Sequence, residues 1–337
     1  MPVVVEVTLK SAALIFVLLT GFAYLSLLER KFIARLQARI GPNRAGPFGL
    51  LQPVADGLKL IFKESVTPKG VDKPIYFLAP ALVVVPALML FAVIPVGKGA
   101  TFQLASDLNV GALYVVGVMS LAVYGIALAG WASNNKYAVL GGLRAAAQMI
   151  AYELGMGLSV AAVVLMASSA SLADIVAAQY PEQYGGILGW FLFRQPVAAA
   201  IFVIAAFAEV ARAPFDLVEA EQELTAGFMT EYGGMKFALF FMGEYVKMIA
   251  VSALFTTFFL GGWSGPFVNE APILSVVYFT IKVVVCLLAF IWVRATLPRV
   301  RYDRLMDMGW KVLFPVALAN VLVTAVLILL GLPGYRL

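Results

Sequence analysis

A chain of 337 residues that is 62% apolar and 13% charged, with mean hydropathy +0.94, departs far from the roughly 45–50% apolar and 25% charged content of water-soluble domains. This composition excludes a soluble enzyme and describes an integral membrane protein, and nothing in the net charge of +5 points to nucleic acid. The single cysteine, Cys286, excludes an intramolecular disulfide or a cysteine-ligated cluster within the chain, and the absence of histidine removes the commonest metal ligand and the usual proton shuttle. Any redox centre therefore belongs to a partner, and any proton relay must use carboxylates, lysines, tyrosines and water.

A membrane-spanning helix needs about 20 mostly apolar residues. In chain order, eight segments qualify: 9–29, 75–96, 110–132, 146–168, 196–211, 237–262, 272–293 and 312–331. The first apolar run, Leu14 to Leu28, leads straight into Glu29, Arg30 and Lys31 without a small-residue cleavage site, so it reads as an uncleaved span. The fifth is short, and its boundaries are the least sharply marked. An even number of spans puts both termini on one side. The first, third, fifth and seventh connections hold 18 of the 24 lysines and arginines, whereas the other connections and the termini hold only Lys10, Lys98, Arg194 and Arg336. By the positive-inside rule the odd connections are cytoplasmic and both termini face the other side. The fold expectation is an all-α integral membrane protein of about eight transmembrane helices, forming one membrane domain over residues 1–337, with an interfacial amphipathic helix in the first cytoplasmic loop.

That first connection reads ERKFIARLQARIGPNRAGPFGLLQPVADGLKLIFKE. Its front half sets Arg35 and Arg39 four apart on one helical face before GPNRAGP breaks the helix. Beyond the break, Leu51, Val54, Leu58 and Ile61 form an apolar stripe opposite Asp56, Lys59 and Lys63, the pattern of a helix lying in the membrane interface. A plain positive-inside loop touching lipid headgroups explains the same residues.

Between Ala208 and Lys247 the chain carries six glutamates and an aspartate. Glu209 and Glu244 lie inside apolar runs, while Asp216, Glu219, Glu221, Glu223 and Glu231 occupy the polar connection between them. An ionised group at bilayer depth costs several kcal/mol, roughly 2.5–3.5 even on the lenient insertion scale, so such residues face a protein interior or a wet cavity and are functional candidates. Glu153 in the fourth span joins them. Glu209 precedes Arg212 by three, and Glu244 precedes Lys247 by three, so two ion pairs within single helices are the structural expectation. Asp216 also suits a helix cap, and Lys282 in the seventh span suits either a buried carboxylate's partner or a wet pocket. Aromatic and methionine side chains such as Phe228, Met229 and Tyr232 suit a core, or an apolar tunnel for a lipid-soluble ring.

Three blocks, ERKFIARLQARIGPNRAGPFGLLQPVADGLKLIFKE, GWASNNKYAVLGGLRAAAQMIAYELGMGLS and AEVARAPFDLVEAEQELTAGFMTEYGGMKFALFFMGEY, resemble the signature blocks of the H-type subunit of respiratory complex I, the counterpart of mitochondrial NADH dehydrogenase subunit 1. The resemblance spans essentially the whole chain. It implies a subunit of a proton-translocating NADH:quinone oxidoreductase with no redox centre of its own, sitting beneath the peripheral subunits of the quinone site and the terminal iron–sulfur cluster. NADH, FMN and iron–sulfur clusters belong to partner subunits, quinone is the substrate, and small membrane subunits lead onward to antiporter-like ones. It further implies that Arg30, Arg35, Arg39 and Asp56, with Arg212 and Phe228, border the quinone tunnel. Asp216, Glu219, Glu221, Glu223 and Glu231 would face the cavity, and Glu209, Glu153, Glu244 and Lys247 would continue the coupling route inward. The expected location is a bacterial inner membrane with both termini on the non-cytoplasmic side. Related readings are a photosynthetic or hydrogenase relative of that complex, an autonomous ion transporter, or an anchor whose carboxylates are inert. Matched broken halves would mark a transporter, and none is found.

Overall fold

The computed structural model describes residues 3–99, 104, 108–179, 189–217, 225–268 and 270–331; Glu219, Glu221 and Glu223 lie outside them. Hydrocarbon offers no partner for backbone N–H and C=O groups, so apolar spans must satisfy them internally. All regular structure among the described residues is accordingly helical. In chain order the helices are α1 (Val3–Leu36), α2 (Gln52–Phe62), α3 (Lys73–Met89), α4 (Gly111–Ala132), α5 (Lys136–Ala167), α6 (Leu172–Ala178), α7 (Phe191–Arg194), α8 (Pro196–Glu209), α9 (Met235–Phe259), α10 (Ile273–Thr296) and α11 (Tyr302–Leu329).

Seven of these, α1, α3, α4, α5, α9, α10 and α11, are long and apolar enough to cross a bilayer, and the short fifth span corresponds to α8. With 14 residues, α8 reaches about 21 Å, less than the roughly 30 Å of hydrocarbon. Its start is held from inside the protein: Gln195 Nε2 donates to Thr324 Oγ1 of α11 at 2.9 Å, and Asn320 Nδ2 donates to Gln195 Oε1 at 3.2 Å.

Several boundaries differ from the sequence expectation. The fourth span begins ten residues earlier, at Lys136, because the Asn135 side chain accepts the Tyr137 N–H at 3.0 Å and caps the helix. Conversely, α1 stops at Leu36, where Ala38 turns into the left-handed region at φ 57°. Arg35 and Arg39 therefore do not share a helical face; Arg39 belongs to the loop. The last span begins at Tyr302 and passes through a π-helical turn at Met308–Leu313, beside which Tyr152 Oη donates to the Leu305 carbonyl at 2.9 Å.

At the centre stands α5, packed against α4, α8 and α11. Gly141 on α5 lets the turn at Gly227–Met229 approach, since a Cβ there would lie 2.7 Å from Gly227 Cα. By contrast α1 is peripheral, and α2 has no buried residue: its stripe of Val54, Leu58 and Ile61 is exposed, as expected of an interfacial helix.

Candidate functional site

The fifth connection is shaped by how α8 ends. After Glu209 the chain breaks at Ala211, whose φ of 53° takes Arg212 off the helical path. Gln148, fully buried on α5, clamps this break by donating Nε2 to the carbonyls of Ala208 at 2.8 Å and Phe215 at 3.0 Å. Because Arg212 is no longer helical, Glu209 and Arg212 do not pair. The expected pairing of Glu244 with Lys247 is replaced as well. Instead the charges cross between elements: Lys247 Nζ of α9 stands 2.5 Å from Glu209 Oε1, and Arg212 Nη2 stands 3.4 Å from Glu244 Oε2. Three-residue spacing favours a pair only while both members remain on one helix.

Burial makes this crossing consequential. Glu209 is 0% exposed and Lys247 and Arg212 are each 5% exposed, so each charge depends on its partner for compensation. Lys247 thus occupies Glu209 Oε1, and no hydrogen-bond donor meets Oε2 among the described residues, which leaves that oxygen with acceptor capacity to spare.

From Arg212 the series continues outward. The guanidinium lies 4.5 Å from the Tyr245 ring centre and 5.8 Å from that of Phe241. Tyr245 Oη donates to Glu29 Oε2 at 2.6 Å, and Glu29 also forms an ion pair with Arg294. These residues wall a polar cavity of about 630 Å³, together with Arg30, Arg39 and Gln37. At its rim Arg30 Nη1 meets Asp56 Oδ2 of α2 at 2.6 Å, with Gln52 and Lys59 on the other carboxylate oxygen at 3.1 and 3.6 Å. Burial alone would push the Asp56 carboxyl up, but the bonded Arg30 charge, with Gln52 and Lys59, holds it below the usual carboxylate value. Arg35 is exposed on the last turn of α1 and does not wall the cavity.

Glu153, on α5, accepts a hydrogen bond from Ser120 of α4, a partner that spacing along one helix could not reveal. It is near enough for its charge to act on Glu209, and it borders a small cavity of about 10 Å³ among Met119, Met156, Phe202, Leu254 and Phe258. Asp216 follows the Gln148 clamp and is half-buried; the helix it was expected to cap falls outside the described residues.

Glu231 and Phe228 belong to another cluster. Glu231 accepts from Asn135 Nδ2 at 2.7 Å, and its carbonyl accepts from Tyr76 Oη at 2.7 Å. Tyr76 and Tyr232 stack at 4.2 Å, and burial, with Tyr76 beside it, pushes the Tyr232 phenol up, so it stays neutral. Phe228 is fully buried, 5.1 Å edge-on from Phe240, and does not wall the polar cavity. Lys282 pairs with carbonyls rather than a carboxylate: Nζ donates to Leu260, Gly262 and Ser264 at 2.8–2.9 Å, stapling the chain beyond α9.

Glu29, Arg294 and Gln148 are the site residues that sequence reasoning passed over, and Tyr245 stood there only among the aromatic residues suited to a core or an apolar tunnel. One signal was present for Glu29, an acid abutting an apolar run as Glu209 does, but the adjacent Arg30 and Lys31 made it resemble a solvated flank.

A family model described as NADH dehydrogenase matches residues 9–325. A relative in Syntrophobacter fumaroxidans, named as the second H-type subunit of NADH-quinone oxidoreductase, is 55% identical, with 95% of each chain covered. The protein of the same name in Geobacter sulfurreducens is 53% identical with 94% of each covered. The H-type NADH-quinone oxidoreductase subunit of Protochlamydia amoebophila is 51% identical over 91% of this chain and 92% of its own. Matched from its first span to its last, this multi-pass membrane protein belongs to the NADH dehydrogenase family.

Proposed function

We propose that the chain is the H-type membrane subunit of a proton-translocating NADH:quinone oxidoreductase in a bacterial inner membrane, with both termini on the non-cytoplasmic side. What supports this reading is the series of charged and phenolic side chains that leads from the cavity through Arg294, Glu29, Tyr245 and Arg212 to Glu244, with the buried Lys247–Glu209 pair beginning three residues further along α9 as a separate pair. Quinone is the substrate, and partner subunits carry NADH, FMN and the iron–sulfur clusters. The cavity forms part of the quinone tunnel. Arg30, Arg39 and Asp56 shape its opening, the exposed Arg35 stands outside its wall, and Asp216 precedes Glu219, Glu221 and Glu223 in the same connection.

Reduction of quinone by the neighbouring subunit creates a demand for protons and a change of charge in the cavity. Arg212 is the first group placed to respond, because it holds Glu244 and covers Tyr245. At 4 Å and an effective dielectric near 20, one added charge is worth about 4 kcal/mol, enough to exchange partners within the crossed pairs. Glu209, with spare acceptor capacity, then takes or releases a proton according to whether Lys247 remains on it, and Glu153 receives the change. Glu231 and Phe228 support the far end of the loop.

The test is to tag the chain, solubilise native membranes in mild detergent and assay the particle that co-purifies. Iron–sulfur signals with inhibitor-sensitive NADH:quinone reduction are expected. Migration of the chain alone without redox activity would contradict the reading, and a large particle using another donor would assign it to a related complex.

A further inference from the structure

The connection between α10 and α11 carries a cation that stands outside the charge series. Arg299 is half-buried, and its Nε and Nη2 are sealed from solvent with no hydrogen-bond acceptor against them among the described residues. Lys247, Arg212 and Arg294 also reach into the interior, but each of them stands against a carboxylate. A buried donor left unmet is costly, and more so when it is charged, so Arg299 weakens the conformation it sits in.

Its neighbours hold it in place. Val300 N–H donates to the Pro214 carbonyl at 2.9 Å, which pins this connection against the one between α8 and α9. Phe215 is fixed in turn: its carbonyl accepts from Gln148, and its ring centre lies 5.7 Å from that of Tyr152, whose hydroxyl donates to Leu305. Asp216 follows Pro214 by two residues and Arg299 precedes Val300 by one, so chain geometry keeps them within about 7 Å and about 4 Å of the pinned pair. Asp303 and Asp307 are closer in sequence, but both are exposed and pair with Arg301 and Lys311. Asp216 is half-buried and has an interaction of its own in this conformation. Phe215 N–H donates to the Arg212 carbonyl at 2.9 Å, so a shift of Asp216 is felt at Arg212 and through it at Glu244.

We propose that Arg299 is a positioning residue for proton coupling, unmet in this conformation and taking the Asp216 carboxylate in a second one reached during turnover. Relief of the buried guanidinium favours the second conformation, and the Asp216 contact carries the connection between α8 and α9 across to it. The proposal rests on the function proposed above.

The test uses the intact purified complex. Arg299→Met keeps an unbranched apolar stem and removes the charge; it should melt at the temperature of the unaltered protein or a few degrees higher. Reconstituted in vesicles, the same variant should lose most of its proton translocation per NADH oxidised. Asp216→Asn should lose a similar share, and the two substitutions together no more than the worse single one, because either removes the same contact. Arg299→Lys, which keeps the charge without the guanidinium fork, should recover part of the loss. If Asp216→Asn does not assemble, Arg299→Met and Arg299→Lys still decide the matter. A lower melting temperature in Arg299→Met, undiminished proton translocation in it, or losses that multiply in the double variant would each overturn the proposal. An unaltered particle without NADH:quinone reduction would fail the functional reading instead, and the melting comparison would still decide whether Arg299 is unmet.

Discussion

Two ion pairs of this protein have nearly the same length and opposite surroundings. Glu209 and Lys247 meet at 2.5 Å with side chains 0% and 6% exposed, whereas Arg30 and Asp56 meet at 2.6 Å with side chains 47% and 23% exposed. Water and salt screen the second pair, which links α1 to α2 at the rim of the cavity. The first has only protein around it, so the state of one member is dictated by the other. On the proposed function, carboxylate and cation fasten at the rim and couple at depth, and burial rather than residue type separates the two roles.

The largest effect should follow from breaking the deep pair on one side. Lys247→Leu strands Glu209 in the interior and should cost about 3–5 kcal/mol, read as a sharp loss of assembled particle and of thermal stability in detergent. Adding Glu209→Leu should restore most of that loss, since two apolar residues replace a buried pair at little cost. If the single variant is as stable as the unaltered protein, burial does not make these charges interdependent.

Next comes the clamp between α5 and the end of α8. Gln148→Leu removes two hydrogen bonds from carbonyls that each keep one backbone donor, Ala211 N–H on Ala208 and Leu217 N–H on Phe215, at about 0.5–1.5 kcal/mol for each bond lost. A lowered melting temperature, with faster proteolysis between Arg212 and Leu217, is the expected result. A purely local packing role would lower stability without exposing that segment.

These two sites also show how much could be read from the chain alone. Every span was visible as an apolar run, including the short one from Pro196, because hydrocarbon imposes length and composition directly on sequence. The acids at depth were visible for the same reason. Their partners were not, because pairing depends on the turn at Ala211 that removes Arg212 from α8, a conformation that Ala211 itself does not announce. Likewise Glu29 looks solvated until Tyr245 and Arg294, 216 and 265 residues away in sequence, close over it. The Ser120 bond to Glu153 crosses from α4 to α5 and has no sequence signature.

The smallest effect belongs to the rim. Asp56→Asn should change stability by no more than about 0.2–1 kcal/mol, and the difference should vanish at high salt. Because the folded Asp56 carboxyl sits below its unfolded value of about 3.9, the pair's contribution is fully present above that value and is lost as pH falls through the lowered one. Comparing the stability of Asp56→Asn and the unaltered protein from pH 7 down to pH 3 should show a flat difference that closes only at the acid end. A change centred near pH 6 would mean that another group controls the contact.

The most direct test of the coupling role is proton translocation per NADH oxidised in inside-out vesicles, measured for Glu209→Gln and for Glu209→Gln combined with Lys247→Met. The double variant leaves no stranded lysine, so its assembly should be normal and any loss of pumping reports on the missing carboxylate. The account predicts that the double variant assembles yet loses coupled turnover, and that Glu209→Gln alone, which strands Lys247, loses turnover together with part of its assembled particle. Normal pumping in the double variant would contradict it and reduce Glu209 and Lys247 to a structural pair.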